Sequence, residues 1–443
     1  KPALHLRRDS AHRFFIASLP ENKMMLIQLM ALCLWPLCVL SQAPLLSRNA
    51  KDAVDNNWIV VLKQGLAPPA ATDYYNSLRT LSTPLLGPLR GLRKTFENIN
   101  GLHAFHIECD KALLETIRKH PNVSTCPPIC VAYIAQDGKV TAQAAIKKPA
   151  ARDDSGNSNA ASPPPWGLAR ISHRMPGMIG YLKTPSPKTR LYVLDTGIQL
   201  KHQEFGGRAI WGKTFIDGAP DDDDNGHGTH AAATAAGNTV GVDNTTIPVA
   251  VKCLDKNSAG TWSGVMAAID WACGNATALG MIKRSVINMS IGGSTYQPLD
   301  DMVQRAYAQG MTVVVAARNY GADACGYSPA RGANATTVAA IDKSDGRAGW
   351  SNWGACVDVF APGVDITSAW PDAAGRAYAT LSGTSMASPH VAGLATYLIS
   401  RENLQGADIV RRRLIELATP GMVHDPKGSP NKIAYNGAGD TVL

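Results

Sequence analysis

Short apolar runs recur through the second two-thirds of the chain, at Leu191–Leu194, Ile247–Cys253, Ser285–Ile291, Thr312–Ala317, Thr336–Ile341 and Cys356–Phe360. They are nearly continuous in Val, Ile, Leu and Ala rather than alternating, the pattern of strands buried on both faces. Helical stretches separate them, among them the small-residue run Ala231–Ala236 and an apolar run from Ser385 to about Ser400. This predicts an α/β domain, a mostly parallel central sheet with helices on either side. Ligands of such sheets bind outside the carboxyl ends of the strands.

The upstream third has a different pattern. Trp58–Leu62 predicts a strand, Ala70–Thr80 a helix, Leu102–Cys109 an alternating strand, Lys111–Lys119 a helix capped by Asp110, and Val131–Ile134 a closing strand. Together they predict a small α+β domain over residues 44–135, its core at 57–135, near the lower size limit for independent folding. An Ala/Ser/Pro-rich stretch over 136–164 predicts a linker that a protease can cut, ahead of a large domain over 165–443. Met24 to Leu40 is almost uninterrupted apolar sequence, short for a membrane span and broken by Pro36, and Ser41-Gln42-Ala43 follows it. This predicts a signal peptide over 24–43, hence a secreted, extracellular protein free of the membrane once the signal is removed. Residues 1–23 precede it as a leader or a gene-model extension and carry no fold information.

Composition sharpens this picture in two places. The 443-residue chain has a net charge of +8, but residues 1–150 hold 18 Lys/Arg against 10 Asp/Glu and the remainder 25 of each. The larger part of the chain is therefore neutral and shows no nucleic-acid footprint, which would need a basic face on the folded domain. Of nine cysteines, Cys253, Cys273, Cys325 and Cys356 lie in the large domain. In an oxidising compartment four cysteines permit two disulfides, and counting does not fix their pairing.

The chemistry sits at strand ends and helix starts. Asp195 follows the strand Leu191–Leu194, His227 opens the helix containing Ala231–Ala236, and Ser385 begins the helix reaching Ser400. Singly, these residues also suit a turn cap, a surface histidine and an ordinary helix N-cap. In the order Asp, His, Ser they make a nucleophile, its general base and the carboxylate that orients the base. A serine at a helix N-terminus also has backbone N–H groups aimed at developing negative charge, and Gly383 beside it lets a peptide backbone approach.

The runs Asp195-Thr196-Gly197, His227-Gly228-Thr229-His230 and Gly383-Thr384-Ser385-Met386-Ala387-Ser388-Pro389 resemble the three signatures of the subtilase family. Pro165-Trp166-Gly167-Leu168-Ala169-Arg170-Ile171 and Asn352-Trp353-Gly354 are similar to its proteinase K-like branch. The resemblance covers about Pro165 to Gly437, and Asn57–Ala135 resembles the family's inhibitor-type propeptide. It implies a three-layer α/β/α fold preceded by an α+β propeptide that acts as intramolecular chaperone and inhibitor. It also implies a monomeric secreted serine endopeptidase that autoprocesses its precursor and cuts polypeptides broadly. The propeptide's end, between Ala135 and Asn157, is expected in the active site.

By the same resemblance Asn319 is the oxyanion residue. Ser258-Ala259-Gly260 and Ser290-Ile291-Gly292-Gly293 are the two edges that pair with substrate, and Ala317, Arg318 and Trp262 border the pocket before the scissile bond; core burial is the other expectation for Trp262. Arg318 departs from the family's Gly. It either fills the pocket, points to solvent or turns preference toward acidic side chains, and its backbone takes a conformation suited to Gly. The competing reading is a binding protein or decoy that lost turnover through Arg318. A lipase or esterase is excluded by the missing Gly-x-Ser-x-Gly elbow.

No cofactor is needed for catalysis. The resemblance implies a structural Ca²⁺ held by the carboxylate of Asp358 and the carbonyls of Ala333 and Ala335, loss of a weaker site where Arg174 stands, a Cys325–Cys356 disulfide, and a cis bond at Ser328-Pro329. The acidic run Asp221–Asp224 is expected to be a solvated loop. Asn122, Asn244, Asn275 and Asn334 lie in glycosylation sequons, and Asn288 is a poor acceptor because it lies in a strand.

Overall fold

In the computed structural model, described for residues 43–46, 52–63, 91–119, 131–142, 146–148, 165–183 and 189–440, the apolar runs become the strands of one sheet. The expected leader, most of the signal peptide, the helix Ala70–Thr80, Asn122 and most of the linker lie outside the described residues.

The upstream domain comprises β1 (Ala53–Leu62), β2 (Gly91–Phe96), β3 (Ala104–Glu108), α1 (Lys111–Lys119) and β4 (Val131–Ala142), followed by the short β5 (Ile146–Lys148). Asp110 caps α1 as expected, its Oδ1 accepting from the Leu113 N–H at 2.9 Å. The large domain begins with α2 (Trp166–Ser172), β6 (Arg190–Asp195), β7 (Ile210–Thr214), α3 (His227–Ala236), β8 (Ile247–Lys252), β9 (Ala259–Thr261) and α4 (Trp262–Ala278). It continues with β10 (Ser285–Met289), β11 (Ile291–Ser294), α5 (Gln297–Gln309), β12 (Thr312–Ala316), β13 (Thr336–Ile341), β14 (Val359–Pro362), β15 (Tyr378–Ser382), α6 (Thr384–Arg401) and α7 (Ala407–Leu417).

The central sheet runs β14-β13-β12-β10-β6-β8-β7, all parallel. Its strands are buried on both faces, so alternate residues enter different cores. Tyr192 and Leu194 of β6 pack with Val265, Ile269 and Met302 of α4 and α5. Leu191 and Val193 pack with Ala232 of α3 and Val391 and Ala395 of α6. Three layers result, and each fully buried Val, Leu or Ile contributes on the order of 1.5–3 kcal/mol through lost water contact.

The upstream sheet, in the order β4-β1-β3-β2, is antiparallel. Trp58, Val60, Phe105 and Ile107 on one face bury against Leu114 and Ile117 of α1. Ile59, Val61, Phe96 and Ala104 on the other face join the core built by α4 and α5. Hydrogen bonds fix this docking: Asn98 donates its backbone N–H and its Nδ2 to the Asp270 carboxylate at 2.8 and 2.7 Å, and Tyr133 Oη donates to Asp301.

Two expectations change. The closing strand does not end at Ile134 but runs to Ala142, so residues 136–142 are strand where a linker is expected. Their alternation is masked in the sequence by Gly138 and Lys139. The run Ser285–Ile291 divides after Met289, giving one strand to the central sheet and one, β11, to a different sheet.

Candidate active site

Asp195 ends β6, His227 begins α3 and Ser385 is the second residue of α6, so the site is built at the carboxyl end of an interior strand and at two helix starts. All three side chains are buried. Asp195 Oδ1 accepts from His227 Nδ1 at 2.8 Å and from the Thr196 N–H at 2.8 Å. This fixes the imidazole so that Nε2 is the free basic nitrogen, and Nε2 has no hydrogen-bond partner among the described residues. Ser385 Oγ donates to the carbonyl of Ser290 at 3.1 Å. A rotation about its χ1 is therefore the step that would hand its proton to His227. Burial of His227 favours the neutral ring, but the charge and hydrogen bond of Asp195, with the charge of Asp223, outweigh it and raise its pKa above 6.5.

The motif contains a second histidine, and geometry separates the two. His230 Nε2 lies 3.1 Å from the carbonyls of Ile366 and Ala379, and burial holds its pKa down to about 3. It is a neutral core histidine. Gly228 is needed because a Cβ there would stand 2.1 Å from the Gly197 carbonyl, so the histidine helix can approach the aspartate loop only without a side chain.

The four aspartates before His227 are not all solvated. Asp223 is 4% exposed and accepts from the Thr196 hydroxyl, the Gly226 N–H and both the N–H and hydroxyl of Thr229, at 2.6–2.8 Å. It satisfies the orphan donors at the start of α3. Asp224 pairs with fully buried Lys252, whose ammonium also donates to the Thr196 carbonyl. Sequence reasoning missed both roles. The signal was an Asp placed before an N-terminal turn, obscured by its three identical neighbours.

Asn319 follows β12 and its Oδ1 accepts from the N–H and hydroxyl of Thr384 at 2.9 and 2.8 Å. That leaves Nδ2 as the outward donor, 3.2 Å from where a Cβ on Gly383 would lie. A side chain at position 383 would crowd this donor, which accounts for the glycine there.

The two edges expected to pair with substrate carry a strand of the chain itself. The last residues of β4 lie antiparallel between β9 and β11: Thr141 pairs with Ala259 and with Gly292, Val140 with Gly260, Lys139 with Thr261, and Ala142 with Ile291. Ser258 contributes its carbonyl to the Ala142 N–H at 3.0 Å. Farther along the chain, β5 pairs Ile146 with Ser382 of β15, the strand leading into α6.

The remaining pocket residues divide. Ser290 holds the turn before the serine, its hydroxyl donating to the Ser385 carbonyl at 2.9 Å. Trp262 is fully buried and stacked on Tyr296 at 5.6 Å. It backs the wall, 2.7 Å from a Cβ placed on Gly293, and does not line the cleft. Ala317 is also fully buried, packed with Ala324 and Ala330. Arg318 has φ +85°, as its alignment with a glycine implies, and its side chain is buried rather than pointing to solvent.

Cys325 and Cys356 are disulfide-bonded, whereas Cys253 and Cys273 are separate buried thiols. Ser328-Pro329 is cis. Asn275 lies within α4 with its Oδ1 accepting from Tyr192 Oη, a poor position for a glycan, while Asn244 and Asn334 are half-buried loop residues. The implied calcium ligands do not fit a cation as arranged. Asp358 Oδ1 accepts from Arg411 at 2.6 Å and Oδ2 from the Thr337 N–H at 2.8 Å, so a guanidinium already neutralises the carboxylate that Ala333 and Ala335 would share. Arg174 instead packs its guanidinium 4.2 Å above the Tyr435 ring.

Comparison with known proteins agrees with this geometry. The profile of the subtilase family matches residues 187–435, more than half of the chain. Over 417 residues the chain is 40% identical to Subtilisin-like protease 2 of Pseudogymnoascus destructans, covering 93% of this chain and 98% of that protein. It is 37% identical to Subtilisin-like serine protease Pen ch 18 of Penicillium rubens, covering 90% and 83%. Among solved structures, a cold adapted subtilisin-like serine proteinase matches with a TM-score of 0.58 at 41% identity, over 62% of this chain and 99% of that one. With a buried Asp–His pair, a serine at a helix start and an amide donor beside it, the chain belongs to the subtilase family of serine-type endopeptidases.

Proposed function

We propose that this chain is the precursor of a secreted endopeptidase and that its upstream domain is an inhibitor the enzyme removes by its own action. The observation that carries the proposal is the path of β4 and β5. The strand enters the cleft as a substrate would, paired on both edges up to Ala142, and the chain resumes at Ile146, paired with Ser382 three residues before Ser385. The bond we expect the serine to cut is one of the four between Ala142 and Ile146. Main-chain pairing on two edges makes few demands on side chains, which favours polypeptide substrates of varied sequence.

In the reaction Ser385 Oγ attacks the peptide carbonyl as His227 Nε2 takes its proton. Asp195 holds the imidazolium, and the Asn319 amide with the Ser385 N–H receives the oxyanion. Collapse transfers the proton to the leaving amine, and water then releases the acyl group by the same route.

The test is expression of wild type and Ser385→Ala, with intact-mass analysis of the products. Wild type is expected to yield an upstream fragment ending between residues 142 and 145, and Ser385→Ala an uncut precursor. A Ser385→Ala chain cut at the same bond would show that another protease matures it. A decoy is the second reading, favoured only by Arg318, and an uncut, inert wild type would support it.

A further inference from the structure

We propose that Arg318 makes this enzyme select an acidic side chain, glutamate or aspartate, immediately before the scissile bond; the proposal rests on the endopeptidase reading above. The arginine stands next to Asn319 in sequence, and its own N–H donates to Thr384 Oγ1 at 3.1 Å, one residue from the nucleophile. Its side chain lies along the wall strand β11: a Cβ on Gly292 would meet Arg318 Cδ at 2.7 Å and one guanidinium nitrogen at 3.2 Å. Gly292 pairs with Thr141 of the inserted strand, so the guanidinium lies behind the edge that holds the peptide just before the serine.

The arginine is 4% exposed and lacks a carboxylate partner among the described residues. One nitrogen donates to Tyr320 Oη at 2.8 Å, and the group lies over the Tyr320 and Tyr327 rings at 5.1 and 6.0 Å. Aromatic faces attract the charge but do not satisfy in-plane N–H groups, and Nε and the other terminal nitrogen have no partner. Nε shares its edge of the guanidinium with the nitrogen already bound to Tyr320, whereas the other unpaired nitrogen lies beside Gly292 and can give a substrate carboxylate one charge-assisted hydrogen bond from a buried cation. Burial without a counter-charge penalises the guanidinium, and a carboxylate arriving with the substrate removes that penalty. The same side chain takes up space that a large apolar residue would need.

The test is a set of peptides differing only at the residue before the scissile bond (Glu, Asp, Gln, Leu, Phe, Lys), cut by the mature wild type, Arg318→Gly and Arg318→Lys. Active sites are counted with phenylmethanesulfonyl fluoride. Wild type is expected to favour Glu over its isostere Gln by roughly tenfold to a hundredfold in kcat/KM, the advantage of a charge-assisted hydrogen bond. Arg318→Gly, whose φ suits glycine, is expected to lose that preference and gain on Leu and Phe, and Arg318→Lys to retain it in weaker form. Equal rates on Glu and Gln, or a wild-type preference for Leu or Phe, would overturn the selectivity while leaving the peptidase intact. Activity in Arg318→Gly alone would mean a plugged pocket and would also overturn it. No hydrolysis by any of the three folded proteins would refute the peptidase reading and the selectivity with it.

Discussion

Asn319 and Arg318 are neighbours with opposite relations to their surroundings. Asn319 has its carbonyl end tied down by Thr384, so its donor end is fixed before any substrate arrives. Preorganised donors of this kind act in the transition state, and Asn319→Ala is expected to lower kcat by roughly 10²–10³ with little change in KM, measured on any good peptide substrate. Arg318, by contrast, sits at φ +85°, a conformation costing a non-glycine residue about 1–2 kcal/mol. In the proposed reaction His227 sets the pH profile. Because its pKa is raised above 6.5 and the neutral ring is the base, the acid limb of kcat/KM is expected above pH 6.5. Asp223→Asn removes one of the charges that raise it and is expected to move that limb to lower pH. A limb that stays in place in this variant would mean that Asp195 alone sets the value.

At the scale of elements, the candidates Asp195, His227 and Ser385 were legible in the sequence because each lies in a local motif at a strand end or helix start. So was the parallel sheet, since strands buried on both faces leave an unbroken apolar run. What was not legible depends on partners distant in the chain. The cap of α3 by Asp223 draws on Thr196 from another loop, and the burial of Trp262 follows from Tyr296 and Gly293, whose packing no periodicity displays. The extension of β4 was hidden because its second half pairs with β9 and β11, more than a hundred residues away. The implied calcium site shows the same limit: ligand types were readable at Asp358, Ala333 and Ala335, but not the ion pair from Arg411 on α7. Calcium chelation is accordingly expected to leave the melting temperature of wild type nearly unchanged. Arg411→Ala, which strands the buried Asp358 carboxylate, is expected to make that temperature depend on added calcium. A large loss on chelating wild type would mean that the ion displaces Arg411.

For the molecule as a whole, the notable connection is β4, one strand shared by two sheets. Its first half pairs with β1 and its second half with the two substrate edges. Hydrolysis beyond Ala142 breaks one covalent link but none of these pairings, and the docking through Asn98–Asp270 and Tyr133–Asp301 also survives it. On the proposed maturation, the first cut would yield a stoichiometric complex with its cleft still filled, and free enzyme would appear only when a fragment dissociates or is degraded. Each liberated molecule can destroy the fragments that hold others closed. The appearance of activity in a purified precursor should therefore be sigmoidal in time, with a lag that shortens as trace mature enzyme is added, although the first cleavage is unimolecular and indifferent to concentration.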